Sequence, residues 1–178
     1  METLTFEKVN AENFSRVPEP CRLCLYWQTS GELQPQASKS ELEKAKLEWF
    51  RVMEKAFGNY AKIACVGNVP IGFMQYAMPK YFPRIADYAS GPPNDDAVFI
   101  ACLYITSRSH RGKGCGTSML KNLLEELSER GFGAVETFAR ADSENNPSGP
   151  LAFYLKHGFK VVRRKDDFPL VRLELFKG

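Results

Sequence analysis

Apolar residues alternate with polar ones at the start of the chain, as they do in a strand. Residues 3–9, TLTFEKV, show this alternation. Residues 60–66 and 71–78 predict two more strands, and the GNVP segment between them has the length and composition of a hairpin loop. The pattern therefore predicts a sheet that is antiparallel at its start.

A helical pattern occupies residues 38–57, where apolar side chains recur every three or four positions. Ser40 followed by Glu43 has the form of a capping box, and Gly58 stands where the helix would end. The inward face of this helix is expected to consist of Leu42, Ala45, Trp49, Val52, Met53 and Ala56.

The segment before that helix, PEPCRLCLYWQ, predicts either an alternating strand or a short turn with a core-facing side. Cys21 and Cys24 have the spacing of half a zinc site, but no second Cys pair or Cys-His pair follows at a suitable distance. We therefore expect no metal and interpret both residues as buried structural thiols, and any role beyond packing is left open.

Residues 78–96 form a long connection with four prolines and the aromatic residues Tyr81, Phe82 and Tyr88. This exceeds the usual loop length, which favours either the rim of a functional site or an insertion. The connection is interpreted either as structural filler or, together with the first helices, as the wall of a pocket.

The run AVFIACLYIT at residues 97–106 is almost wholly apolar and predicts a central strand covered on both faces. The next helix carries an apolar stripe and stops near Gly131, and residues 133–139 predict another strand. A strand, helix and strand in this succession imply a parallel crossover.

The last third of the chain predicts a short helix, LAFYLKHG, ended by Gly158, and two closing strands, FKVVRRK and LVRLELF. The predicted fold class is α/β, with one mixed sheet of about seven strands and helices on both faces. We expect a single domain that comprises an N-terminal part (1–58), a core (60–165) and a closing strand (166–178).

Composition narrows the classes of function only slightly. The 178 residues carry a net charge of +3, too mild and too dispersed to support nucleic-acid binding. Five scattered cysteines and an N-terminus unlike a signal peptide favour the reducing cytoplasm. No apolar run approaches the length of a membrane span, so we expect no membrane partner.

Candidate chemistry begins with the glycine-spaced basic loop RGKGCG at residues 111–116, directly before a helix. Glycines let backbone N–H groups approach a ligand, and the helix N-terminus adds unpaired N–H groups and a positive dipole end. Residues 97–124 contain no Asp or Glu, so we expect a ligand such as phosphate to supply the negative charge. A nucleotide-binding loop is the alternative, but the Gly-Lys-Ser/Thr ending is absent.

This loop after an apolar strand, together with FYLKHGF at residues 153–159, resembles the GNAT superfamily of acyl-CoA-dependent N-acyltransferases over about residues 60–165. The resemblance implies that acetyl-CoA is the acyl donor, with its pyrophosphate on the glycine loop and its pantetheine arm beside the central strand. Residues 60–165 are then the expected cofactor-binding core of a single acyltransferase domain, and residues 1–58 its acceptor-side part. It also implies that a loop asparagine contacts the cofactor. The expected cofactor-binding residues are Leu103, Tyr104, Ile105, Thr106, Arg111, Gly112, Lys113, Gly114, Cys115, Gly116, Thr117, Asn145 and Asn146.

The resemblance further implies that Tyr154 is the general acid for the leaving thiolate. The general base is left open between Glu136, His110 and water, because the central strand has no glutamate. Cys102 and Cys115 have no evident histidine partner, so we expect direct attack by a primary amine of a small molecule or protein. A non-catalytic acyl-CoA-binding regulatory module is the alternative function, and a homodimer is left open.

Overall fold

A computed structural model of the chain describes residues 3–31, 37–141 and 149–175. Its centre is one sheet, and the predicted mixed sheet of about seven strands is confirmed. The strands are β1 (Leu4–Lys8), β2 (Ala61–Val66), β3 (Val69–Ala77), β4 (Val98–Ile105), β5 (Ala134–Phe138), β6 (Lys160–Arg163) and β7 (Leu170–Glu174). Their order across the sheet is β1-β2-β3-β4-β5-β7-β6.

Three of the four helices in the described residues occupy predicted places, and the helix at Glu19–Arg22 lies where the sequence predicted a strand or a turn. These helices are α1 (Glu19–Arg22), α2 (Lys39–Ala56), α3 (Cys115–Glu129) and α4 (Leu151–Lys156), with 3-10 turns at Phe14–Arg16, Pro79–Tyr81, Pro83–Asp87 and Arg108–His110. The cysteine-bearing segment thus begins as a helical turn, and Pro20 fits there because the first turn needs no N–H donor from it. None of the helices in the described ranges is both long and apolar enough to cross a membrane.

Strand directions divide the sheet in two. Strands β1 to β4 are successively antiparallel, and β2 and β3 form the predicted hairpin. Strand β4 pairs with β5 in parallel through the α3 crossover, as predicted. Strand β7 then lies between β5 and β6 and is antiparallel to both, so β6 forms the outer edge.

Each face of the sheet has its own core. The α3 face packs Met119, Leu120, Leu123 and Leu127 of α3 and Tyr154 of α4 against the sheet. The α2 face packs α2, the N-terminal segment and the long connection against the sheet, through residues that include Val17, Trp27, Phe50, Met53, Phe73, Phe82, Phe99 and Phe138. Helices therefore cover both faces, as the sequence predicted.

Two details of α2 differ from the prediction. The capping box is formed by Ser38 and Glu41, not by Ser40 and Glu43, although both pairs have the same spacing. The residues buried in α2 are Lys46, Phe50 and Met53. The predicted buried face of α2 was therefore wrong, because it is rotated by about one residue from the observed face. The prediction placed only apolar side chains on that face, whereas the observed face includes Lys46.

Candidate active site

The loop before α3 exposes backbone N–H groups. Gly112 and Gly114 have φ of +71° and +82°, a region that side-chain-bearing residues rarely adopt. Gly114 is the N-cap of α3, and no side chain caps the helix. The first-turn N–H groups, from Cys115 to Thr117, consequently lack intrahelical acceptors and present a positive dipole end. This arrangement can bind an anion.

Basic side chains surround that loop. Arg108, Arg111 and Lys156 line the cleft beside it. The Arg111 guanidinium is folded back, because its Nε donates to the Ile105 carbonyl at 2.9 Å and a terminal nitrogen donates to the Tyr104 hydroxyl at 2.9 Å. Lys113 is exposed and makes no ion pair within the described part of the chain. The cleft mouth is therefore positively charged.

An open edge of β4 forms one wall of the cleft. Among the described residues, β5 pairs with Val98 and Phe99 alone, and β4 has no strand partner on that side beyond the Ile100 carbonyl, which accepts from the Thr137 hydroxyl. Thr106 donates its N–H to Ile71 of β3, and alternation then directs the backbone groups of Leu103 and Ile105 to the free edge. The cleft has a volume of about 720 Å³ and also contacts Gly149, Pro150 and Phe153.

A bulge lies at the inner end of this edge. On β3, Gln75 pairs with Cys102 and the next residue, Tyr76, pairs with Ile100, which leaves Ala101 without a partner. Bulges kink a strand and redirect its side chains. In β4 the bulge coincides with the point where β4 and β5 separate.

Tyr154 lies close to that point of separation. It is fully buried on the α3 face and shares a hydrogen bond with Thr137 of β5. The Thr137 hydroxyl in turn donates to the Ile100 carbonyl at 2.8 Å. Burial raises the pKa of Tyr154 above 10, so the phenol keeps its proton at neutral pH. Its neighbour Phe153 lines the cleft directly.

Glu136 lies away from Tyr154, on the α2 face of β5, and is fully buried. Its two oxygens accept from the Asn94 N–H at 2.8 Å, the Asn94 side chain at 2.6 Å and Arg172 at 3.0 Å. A carboxyl group with this many donors and an arginine partner is held firmly in place. The geometry favours a structural role for Glu136 over the predicted role of base.

The remaining candidates fall in different places. Asn145 and Asn146 lie outside the described residues. His110 turns its Nδ1 to the Ser107 hydroxyl at 2.7 Å. All five cysteines are free, and burial raises the pKa of Cys102. In the described ranges no group of acidic, His and Cys side chains could hold a metal ion.

Three residues of this region were not predicted. Arg108 and Lys156 line the cleft, and Thr137 links Tyr154 to β4. Helical spacing gave a usable signal for Lys156, because it stands three residues after Phe153 on α4 and so shares its face. No signal in the sequence identifies Thr137, because the separation of β4 from β5 has no local sequence signature.

Comparison with known proteins agrees with this geometry. Residues 23–159 match the model of the family described as acetyltransferase (GNAT) family. A search of curated proteins gave no significant match.

Solved structures of N-acetyltransferases have the same fold. The PaiA N-acetyltransferase of Thermoplasma acidophilum, in complex with coenzyme A, has a TM-score of 0.61 at 15% identity over 97% of this chain and 99% of that one. The putative acetyltransferase YncA of Salmonella typhimurium, with its cofactor acetyl-CoA, has a TM-score of 0.59 at 16% identity over 99% of this chain and 96% of that one. The ribosomal-protein-S18-alanine N-acetyltransferase of Escherichia coli has a TM-score of 0.58 at 12% identity over 97% of this chain and 94% of that one.

Proposed function

The chain belongs to the acetyltransferase (GNAT) family, and from this premise we propose that it transfers an acetyl group from acetyl-CoA directly to a primary amine. One observation carries the proposal: the free edge of β4 leads to a loop in which the N–H groups from Gly112 to Thr117 have no backbone acceptor among the described residues. Acetyl-CoA is an elongated chain with amides along it and phosphates at one end. It therefore matches a strand edge followed by an anion site.

The donor would contact backbone more than side chains. Its pyrophosphate would accept from N–H groups between Arg111 and Thr117, and its pantetheine arm would bond to the free edge from Leu103 to Thr106. Arg108 and Lys156 would add charge at the cleft mouth. Asn145 and Asn146 stay predicted contacts of the donor.

Tyr154 is the proposed general acid. Departure of coenzyme A leaves a thiolate, which needs a proton, and a buried phenol that is neutral at pH 7 can supply one. The hydrogen bond to Thr137 fixes its hydroxyl near the bulge, where the free edge ends. Tyr154 is thus oriented toward the inner end of the donor cleft.

Direct attack is preferred to a covalent enzyme intermediate. A cysteine nucleophile works as the thiolate, and burial raises the pKa of Cys102. Cys115 is half-buried at the start of α3. Neither thiol hydrogen-bonds to a histidine within the described part of the chain.

The alternative is an acyl-CoA-binding module without catalysis. Its support is that the one buried carboxylate near the separation of β4 from β5 in the described residues, Glu136, is occupied by Asn94 and Arg172. Such a module would need the same cleft, so binding alone does not separate the two functions.

Thiol release separates them. The protein is incubated with acetyl-CoA and a panel of primary amines that includes spermidine, aromatic alkylamines and lysine peptides, and free coenzyme A is measured with a thiol reagent. We expect release that depends on both protein and amine, with one acetyl group added to the amine. Donor binding without release across the whole panel would favour the regulatory module instead.

The acceptor is proposed only as an amine of a small molecule or protein. The aromatic residues of the long connection, such as Tyr81 and Tyr88, pack against the α2 face and support a pocket on that side. A single acyltransferase domain, a cytoplasmic location and a homodimer stay predictions.

A further inference from the structure

Lys46 is an unusual member of the protein core. It projects from α2 toward the sheet and is 2% exposed. Its Nζ donates to the Cys24 carbonyl at 2.7 Å and lies 3.4 Å from Gln28 Oε1. The rings of Phe50 and Phe73 are 5.6 and 5.9 Å from it. No carboxylate of the described residues forms an ion pair with Lys46.

The surroundings favour a neutral amine. Burial lowers the pKa of Lys46, and the titratable groups facing it are the thiols of Cys21, Cys24 and Cys102. Burial raises the pKa of Cys21 to about 12 and also raises that of Cys102, so neither supplies a negative charge at pH 7. A neutral amine has two hydrogens for its two acceptors and one lone pair left over.

Unpaired polar atoms gather around this amine. Gln75 is fully buried, and neither its amide nitrogen nor its amide oxygen has a partner in the described structure. The Gln28 amide nitrogen is also buried and unpaired there, whereas the Trp27 indole N–H has the Cys102 sulfur as its partner. A buried polar atom without a partner destabilises the fold, so the three such atoms of Gln28 and Gln75 indicate a polar ligand. We call Trp27, Gln28, Lys46, Gln75 and Cys102 the Lys46 cluster.

The Lys46 cluster meets the donor cleft at the β4 bulge. The Cys102 thiol is close enough to Lys46 to interact with it electrostatically, and Cys102 pairs with Gln75 across β4 and β3. Leu103 and Tyr104, the next residues of β4, line the cleft. Tyr104 also packs against the α2-face core, so it contacts both regions. Gln28, Cys102 and Tyr104 are only partly buried and connect the cluster to the surface.

From this geometry we propose that the Lys46 cluster is the acceptor end of the active site, with Lys46 as the general base for an alkylammonium substrate. The proposal rests on the proposed acetyl transfer. The ammonium proton passes to Lys46 Nζ, the freed amine nitrogen bonds to the acetyl carbon, and the thioester C–S bond breaks. Tyr154 protonates the thiolate, and the second proton, which the amine nitrogen loses as the amide forms, restores the Tyr154 phenol through solvent. Gln75 Oε1 accepts a hydrogen bond from the amine, and Lys46 returns its proton to solvent past Gln28.

A titration tests the state of Lys46 without any acceptor. The protein is labelled with lysine carrying ¹³C at Cε, and the chemical shifts are followed with pH in wild type and in Lys46→Arg. We expect one resonance to titrate well below the others and to be missing from Lys46→Arg. If every lysine of the wild type titrates like a surface lysine, the proposal is wrong.

A rate measurement tests the role. In Lys46→Arg the guanidinium can still donate hydrogen bonds, but it does not give up a proton and cannot act as a base. The kcat with alkylamine acceptors should therefore fall by about 10²- to 10⁴-fold, while the Kd for acetyl-CoA is unchanged. Lys44→Arg, an exposed change on the same helix, should keep the wild-type rate. Hydroxylamine, which is already neutral at pH 7, should react equally well with Lys46→Arg and wild type.

Two outcomes of that measurement overturn the base assignment. One is a wild-type rate and pH profile in Lys46→Arg. The other is a loss of fold or of acetyl-CoA binding in both Lys46→Arg and Lys46→Met, which would make Lys46 a structural residue. Absence of turnover by the wild type with every amine counts against the proposed function, and the ¹³C titration still decides the state of Lys46.

Discussion

Replacing Tyr154 with phenylalanine lowers kcat by about 10²-fold or more, the usual contribution of a general acid, and leaves the Kd for acetyl-CoA nearly unchanged. The substitution removes one hydroxyl and keeps the ring that packs against Phe153 and Phe159. Because burial raises the pKa of Tyr154 above 10, the acid form persists through neutral pH and is lost only in strongly alkaline solution. Thiol release at saturating acetyl-CoA measures the effect.

Tyr60→Phe is the matched control. Tyr60 is also a buried tyrosine, but it packs against Trp49 and Phe50 on the α2 face, and its hydroxyl has no partner in the described structure. Its removal should leave kcat unchanged. An equal drop in both variants, or an unchanged rate in Tyr154→Phe, would remove the acid assignment.

The second large effect concerns stability, at Glu126 of α3. This carboxylate accepts from Lys62 at 2.6 Å, Asn59 at 2.7 Å, and Tyr76 and Arg130 at 3.1 Å. Glu126→Gln keeps the volume but leaves the Lys62 ammonium, whose side chain is 6% exposed, without a counter-charge. Breaking a buried pair in this way costs about 3–5 kcal/mol of unfolding free energy.

Urea unfolding at pH 7 measures this loss. Glu125→Gln, on the exposed side of the same helix, is the control and should change the unfolding free energy by less than about 0.5 kcal/mol. A loss below about 1 kcal/mol in Glu126→Gln would mean that solvent screens the pair as it screens surface pairs.

The pH dependence of that loss follows from linkage. Burial by itself raises the pKa of Glu126, but the hydrogen bond and charge of Lys62, with Arg130 and Tyr76, lower it below 4.5 overall. A group whose pKa is lower in the folded state stabilises the fold above its unfolded pKa. The stability difference between wild type and Glu126→Gln should therefore be constant near neutrality and shrink as the pH falls below about 4.5.

The sequence was informative where local pattern and local structure coincide. The apolar run of β4, the stripe of α3 and the glycine loop between them predicted the strand, the helix and the anion site, because each depends on residues close together in the chain. The same holds for α4, which ends before Gly158 as expected. These elements position the donor.

Other features could not be predicted because their causes are distant in sequence. Glu136 accepts hydrogen bonds from Asn94 and Arg172, which lie 42 and 36 residues away from it along the chain. Lys46 occupies a core position, whereas apolar periodicity assigns lysine to the solvent face. The capping pairs Ser38–Glu41 and Ser40–Glu43 have identical spacing, so the pattern does not choose between them.

The central claim is that the glycine loop and the free edge of β4 bind acetyl-CoA, and calorimetric titration with acetyl-CoA tests it most directly. We expect one site with a Kd between about 1 μM and 1 mM, the ordinary range for enzyme substrates, without competition from ATP. Gly114→Ala, strained at φ +82°, should weaken binding at least about tenfold by moving the N–H groups. Gly67→Ala, strained at φ +57° in the β2–β3 turn, should not. Absence of binding at acetyl-CoA concentrations above about 1 mM, or equal affinity in Gly114→Ala and Gly67→Ala, would contradict the account.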